Sequence, residues 1–340
     1  MGDQRIGLMG FGRIGRNLFR LLNSGSGPEI GAIVDINEPE ALAYLLKYDS
    51  IYGRFSKSVS LDGSTLVVED VRIPIVNARE PGEINWNDHG VSTVVQATGK
   101  FRTRAWCEKH LDLGASRVIL ASTPEDPNDL PILLKGVNDE ILTRDVPIIA
   151  MGSNTSNALA PVLDVLDETF GIERMFFTTV HAYTNRERLA DVPTDGFRTS
   201  RAAGENIIPA ETNSPEILTQ VFPQLAGKLS ATALNVPVEN GSTIDAVPIL
   251  TRPTNRDEIN EAMRAAAESK YAGILEYQTD PIVSTDVWGT PYSGIFDSLA
   301  TMVMANTMAK IIVWFDNGWG YSARILETLE LLSDLEEASA

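Results

Sequence analysis

A single cysteine, Cys107, occurs in 340 residues. One thiol cannot close an internal disulfide or build a cysteine-rich metal site, which fits a reducing compartment. Histidine is nearly as scarce, at three, and no His/Asp/Glu spacing suggests a metal. Basic residues are few as well: 28 Lys and Arg stand against 46 Asp and Glu, a net charge of −18. So acidic a chain repels phosphate backbones and anionic lipid, so neither nucleic acid nor a membrane is the expected partner. No run of about 20 apolar residues is present, which excludes a bilayer-spanning helix. The N-terminus lacks a basic stretch followed by an apolar run, and Met1-Gly2 has no Ser or Thr at the sixth position. A secretory leader and myristoylation are therefore not expected, and a cytoplasmic location is the default.

The rest is ordinary globular composition, 43% hydrophobic and 22% charged, on a length that suits two domains of roughly 100–200 residues. Up to residue 151, short apolar runs alternate with helical patterns. Arg5–Met9, Gly31–Asp35, Thr93–Gln96, Arg117–Ser122 and Val146–Met151 read as buried strands. Ile14–Leu22, Glu38–Leu46 and Ala105–Leu113 read as helices. Such alternation predicts βαβ units and a parallel, doubly wound sheet, with residues 58–76 as a local antiparallel excursion. Beyond it the pattern predicts a helix at Asn157–Glu168. Longer β-rich runs follow at Glu173–His181, Ala231–Val238, Thr243–Leu250, Leu299–Met304 and Lys310–Phe315. These imply a mixed or antiparallel sheet with helices on one face. Residues 182–215 are polar and punctuated by Gly and Pro, and a loop of that length is usually functional. An amphipathic helix at 320–339 closes the chain.

Gly10-Phe11-Gly12-Arg13-Ile14-Gly15 is a G-x-G-x-x-G between a strand and a helix, with Asp35 ending the next strand. That context turns a weak motif into a dinucleotide site. Gly10 makes the tight turn, Gly12 admits the pyrophosphate, and Gly15 lets helix and strand approach closely. The helix N-terminus offers amide donors to the phosphates. Asp35 is expected to hold the adenosine ribose hydroxyls and repel a 2′-phosphate, favouring NAD over NADP.

Further strings appear in a recognisable order: GFGRIGRNLFR, YDSIYGRF, ATGKF, KGVND, SNTSNALAP, HAYTN, DVP, GKLSATALNVPV and WFDNGWGYS. Across nearly the whole chain they resemble the phosphorylating glyceraldehyde-3-phosphate dehydrogenase family. The resemblance implies a Rossmann domain at 1–151 and an α+β catalytic domain at 152–316 carrying the loop 182–215. It further implies a C-terminal helix, 317–340, returning to the nucleotide domain, and a homotetramer. Carried over position by position, it places Arg79 near the adenine, and Thr98 and Gly99 beneath the cofactor. Ser122 falls near the nicotinamide ribose, Asn317 on the carboxamide, Tyr321 beside the ring, and Pro193 at a loop position associated with NAD preference. It also makes Ser153, Thr155, Thr184, Thr212 and Asn235 substrate-facing, and Arg186, where the family commonly has an acidic residue, is read as substrate-facing with them.

The catalytic positions of the resemblance are altered. Asn154 stands where the family carries its nucleophilic cysteine, and an amide cannot form the thioester intermediate. The arginine of the substrate-phosphate pocket aligns with Asn235. That of the inorganic-phosphate pocket aligns with Thr199, beside Arg198, and Glu211 brings a carboxylate near an anion site. His181 remains at the acid–base position, and Asn154 could donate a hydrogen bond to a substrate oxygen. Arg186 and Arg188 suit either a new anion site or a charge-balanced surface beside Glu187 and Asp191. Cys107, His89 and His110 read as an inert structural cysteine, a turn residue and a helix-surface residue. The expectation from these positions is an NAD-dependent, non-phosphorylating oxidoreductase acting on a small carbonyl or alcohol through His181 and Asn154. The alternatives are an inactive NAD-binding pseudoenzyme and a lyase or cyclase using NAD transiently.

Overall fold

Parallel strands need a crossover between them, and the first part of the chain supplies helices in alternation with its apolar runs. The computed structural model describes residues 5–25 and 27–337, so the last residues of the expected C-terminal helix, 338–339, lie outside the described residues. Two compact units form: Met1–Gly152 with Ser322–Ala340, and Ser153–Tyr321. Among the described residues no helix is long and apolar enough to cross a membrane.

The first unit opens with β1 (Arg5–Met9), α1 (Arg13–Leu22), β2 (Ile30–Asp35) and α2 (Pro39–Lys47). A two-stranded ribbon, β3 (Tyr48–Asp49) and β4 (Gly53–Arg54), precedes β5 (Val59–Asp62), β6 (Thr65–Val68) and β7 (Val71–Asn77). The unit continues through β8 (Val91–Gln96), α3 (Arg104–Asp112), β9 (Arg117–Leu120) and β10 (Ile148–Ala150). The sheet order is β10-β9-β8-β1-β2-β7-β6-β5. Strands from β10 to β7 run parallel, in the order of a doubly wound nucleotide fold, and β5–β7 form an antiparallel meander. The antiparallel excursion is thus tied to the main sheet, because β7 pairs with β2. Trp86, fully buried, packs with Met9, Ala32, Val34, Val91 and Val94 on one face.

The second unit begins with α4 (Asn154–Phe170) and β11 (Ile172–Ala182), then β12 (Ile208–Ala210), α5 (Ser214–Val221), β13 (Leu229–Val236) and β14 (Ser242–Leu250). It ends with α6 (Arg256–Ala267), β15 (Leu275–Gln278), β16 (Gly294–Asp297), β17 (Met302–Met304) and β18 (Met308–Phe315), and α7 (Trp319–Glu337) leaves it for the first unit. The sheet runs β12-β13-β11-β14-β18-β16-β15, with β17 on β18. It is mixed: β11–β13 and β15–β16 are parallel and the other pairs antiparallel. Two starts differ from expectation by three residues, and other boundaries by one or two. Helix α4 starts before Asn157 because the Ser153 hydroxyl accepts the Ser156 amide at 3.0 Å and caps it. The expected strand from Leu299 shrinks to β17, because Asp297 Oδ1 accepts the Leu299 and Ala300 amides and turns the chain. Residues 322–337 of α7 lie within the first unit, where Thr328 donates to the Met151 sulfur and Arg144 to the Leu335 carbonyl.

Candidate functional site

In the first unit, β1 and β8 lie side by side at the point where the strand order reverses, the usual ligand position of such sheets. Gly10 leaves β1 at φ +98°, and a Cβ there would fall 2.7 Å from the Thr98 nitrogen. A Cβ on Gly15 would fall 2.3 Å from the Gly10 carbonyl oxygen, so both positions require glycine. Gly12 has open space around its missing side chain and starts α1 without a side-chain cap. That leaves the first amides of the helix as donors for a phosphate. Phe11 donates its amide to Asp35 Oδ2 at 2.8 Å, and Asn37 donates backbone and side-chain N–H groups to Oδ1. Three of about four acceptor sites on the carboxylate are taken, which leaves one for a ribose hydroxyl. Gln96 Oε1, at the end of β8, and Ser122 Oγ, just past β9, are buried without partners. Converging amides and orphaned polar atoms fit a dinucleotide. Arg13 begins α1 half-buried, Ile14 follows it, Thr98 and Gly99 follow β8, and Arg79 is exposed with its amide on Glu83.

In the second unit, Asn154 is the first residue of α4. Its Oδ1 accepts the Thr155 amide at 2.8 Å, and its Nδ2 donates to the Asn317 carbonyl at 3.0 Å. His181 lies near the end of β11. Its Nδ1 is 2.6 Å from the Ala182 carbonyl. A carbonyl only accepts, so that nitrogen carries a proton. Nε2 faces the Asn317 amide nitrogen at 3.4 Å. Asn317 is held on three sides: its backbone amide donates to Asn240 Oδ1 at 2.9 Å, and its side chain meets Ser242 Oγ at 2.7 and 2.9 Å. Asp316 fixes the corner, accepting from Asn240, Gly289, Gly318 and Trp319. Asn154, His181 and Asn317 therefore form one hydrogen-bonded group. Tyr321 is buried in the same unit, and burial pushes its hydroxyl pKa up.

A second group lies one strand away. β11 and β13 pair in register with His181 opposite Asn235. Asn235 Nδ2 donates to Glu187 Oε1 at 2.7 Å, while the Thr184 amide and hydroxyl donate to Glu187 Oε2 at 2.7 and 2.8 Å. The remaining expected substrate residues are placed elsewhere. Ser153 caps α4, Thr212 bonds Ser214 at the start of α5, and Arg186 is exposed with only its backbone amide on Thr184. Thr199 closes a turn onto the Gly196 carbonyl. Ser242, Asn240 and Glu187 were not identified as site residues from sequence, because their partners Asn317 and Asn235 are distant in the chain and meet them only in the fold.

One expectation about a histidine is corrected. His110 does not lie on a helix surface; it is fully buried, and its Nδ1 accepts the Trp86 indole N–H at 3.0 Å. The buried indole requires an acceptor, which turns α3 to present His110 inward. Desolvation pushes its pKa down to about 4. Cys107, one turn earlier, is fully buried, and desolvation pushes its thiol up to about 12.

Comparison with known proteins bears on both units. Residues 4–104 match the glyceraldehyde 3-phosphate dehydrogenase NAD binding domain, and residues 153–317 match the glyceraldehyde 3-phosphate dehydrogenase C-terminal domain. A glyceraldehyde-3-phosphate dehydrogenase of Kitasatospora aureofaciens is 44% identical over 97% of this chain and 99% of its own. Glyceraldehyde-3-phosphate dehydrogenase 1 of Bacillus subtilis is 42% identical over 95% and 96%, and the Mycobacterium avium enzyme 44% over 96% and 98%. These similarities overturn the expectation of a non-phosphorylating carbonyl oxidoreductase, and with it the pseudoenzyme and the lyase or cyclase alternatives. That expectation rested on a few positions around Asn154, whereas the identity extends across both units and includes relatives that all carry the dehydrogenase name. The protein is an NAD-dependent oxidoreductase with NAD as its cofactor, and the chain belongs to the glyceraldehyde-3-phosphate dehydrogenase family.

Proposed function

We propose that the protein is an NAD-dependent dehydrogenase of glyceraldehyde 3-phosphate, the substrate carried in its relatives' names. The observation that supports this most is identity of 42–44% sustained over 95–97% of the chain. In this reading Asn317, braced by Asn240 and Ser242, receives the nicotinamide carboxamide. His181 Nε2 takes the proton from the oxygen on the reacting carbon, as a positioned general base does. The Asn154 amide and the start of α4 polarise that oxygen. NAD, when bound, supplies the hydride acceptor. Hydride leaves an aldehyde carbon only after a nucleophile has added to it, and the amide nitrogen of Asn154, conjugated with its carbonyl, offers no free electron pair. The sole thiol, Cys107, is fully buried with its pKa pushed up to about 12, so the added oxygen comes from water, giving the acid, or from inorganic phosphate, giving the acyl phosphate. Ser153, Thr155, Thr184, Arg186, Thr212 and Asn235 are assigned to the substrate side, and Arg79, Thr98, Gly99 and Ser122 to the cofactor side.

The experiment is NADH formation from glyceraldehyde 3-phosphate followed at 340 nm, with and without inorganic phosphate, and with the product identified as acyl phosphate or acid. Absence of NADH in both arms, from protein that binds NAD by calorimetry, overturns the assignment. A cytoplasmic homotetramer belongs to the same reading. Exposed Phe176 (69%), Met304 (63%) and Phe197 (99%) support assembly, which light scattering tests.

A further inference from the structure

The group around Glu187 is built like an anion site, but the chain itself fills it. Three donors converge on one carboxylate: the Thr184 amide, the Thr184 hydroxyl and the Asn235 side-chain amide, all within 2.8 Å. Asn235 is the register partner of His181, so the cradle lies one strand from the proposed base. Arg186 and Arg188 flank Glu187 in sequence. Arg186 is exposed, and neither guanidinium has an ion-pair partner among the described residues. The cradle is thus made of donors, with two cationic residues adjacent to it in sequence, and the anion that satisfies it is Glu187 of the chain itself.

We propose that Glu187 is an internal occupant of this cradle, a specificity-determining carboxylate that a substrate's phosphate monoester must displace to bind beside His181. The inference rests on the substrate class proposed above. Two anions cannot share three donors at these distances, because like charges in contact repel and each carboxylate oxygen already takes a donor. The loop from Tyr183 to Ala190 carries Glu187 outside any strand or helix, so its side chain can swing away without breaking a ladder. Once it leaves, the Thr184 amide and hydroxyl and the Asn235 side-chain amide present three donors to the incoming phosphate, on a loop that also carries two arginines.

The test reads binding rather than turnover, so it stands apart from the dehydrogenase assignment. Calorimetry with glycerol 3-phosphate, which has no aldehyde to oxidise, compares the full-length wild type with Glu187→Gln and Glu187→Ala. Both variants are expected to bind it about ten-fold tighter or more, since a contacting charge of the same sign is removed. Binding of uncharged glycerol should not change. Adding Asn235→Leu to Glu187→Ala should abolish the gain. Glu187→Gln keeps the side-chain shape and serves if the alanine variant fails to fold. Glycerol 3-phosphate affinity unchanged in Glu187→Gln overturns the proposal. So does a gain that survives Asn235→Leu, which would assign the binding to the arginines alone.

Discussion

The side-chain amide of Asn154 donates to the backbone carbonyl of Asn317 at 3.0 Å, joining two residues 163 positions apart. The bond holds the first turn of α4 against the residue whose side chain meets His181. A thiol placed at position 154 would sit at a helix N-terminus in the same hydrogen-bonded group as an imidazole, conditions that favour the thiolate. Asn154→Cys should therefore react with iodoacetamide at least about ten-fold faster than the native wild type, whose sole thiol is buried with its pKa pushed up to about 12. Mass spectrometry of the alkylated protein measures both rates. Equal rates would show that position 154 does not face an accessible site.

Asp35 accepts the Phe11 amide and, in the proposed assignment, also holds the cofactor ribose. Asp35→Ala orphans that amide and removes the charge that would confront a 2′-phosphate. NAD affinity should fall by about ten-fold or more, on the scale of a lost hydrogen bond to a charged group, and NADP should fall much less. Calorimetry with both nucleotides checks the ratio, and an unchanged preference would remove Asp35 from cofactor selection.

His110 makes folding depend on pH. Its folded pKa of about 4 lies below the ordinary 6.5, so the unfolded chain binds the proton more readily. The contribution to stability is complete above pH 6.5 and is lost as pH falls through 4, amounting to roughly 2 kcal/mol between pH 7.5 and 5. Urea denaturation at those two values should show that loss in the wild type. In His110→Gln, which retains an acceptor for Trp86, the loss should be smaller by about that amount.

Ser242 links strand to site. Its hydroxyl accepts the buried Ala182 amide at 2.9 Å and meets the Asn317 side chain. Ser242→Ala should cost about 1–3 kcal/mol, because the Ala182 donor is left buried and unpaired. It should also lower kcat for the proposed reaction more than it raises KM, since Asn317 would lose its brace near His181. Thermal denaturation and steady-state kinetics separate the two effects. A stability loss with unchanged kinetics would confine Ser242 to a structural role.

The Rossmann sheet and the glycine turn after β1 were legible in the sequence because local rules govern them. Apolar runs of strand length alternate with helical periods, and Gly10 and Gly15 sit where a Cβ would strike neighbouring backbone. Helix boundaries such as the Ser153 cap needed geometry as well as pattern, because a capping serine looks like any other serine until its hydroxyl meets an amide. The substrate end was the least legible. Glu187 reads in sequence as one of several charges on a polar loop. Only the parallel pairing of β11 with β13 brings Asn235 opposite His181 and places the carboxylate between Asn235 and Thr184. His110 was misread for the same reason: the indole that claims it lies 24 residues away and on another element. Side-chain periodicity reports which face of an element is apolar. Which polar groups meet inside the fold depends on strand order and register, and tertiary packing alone decides those.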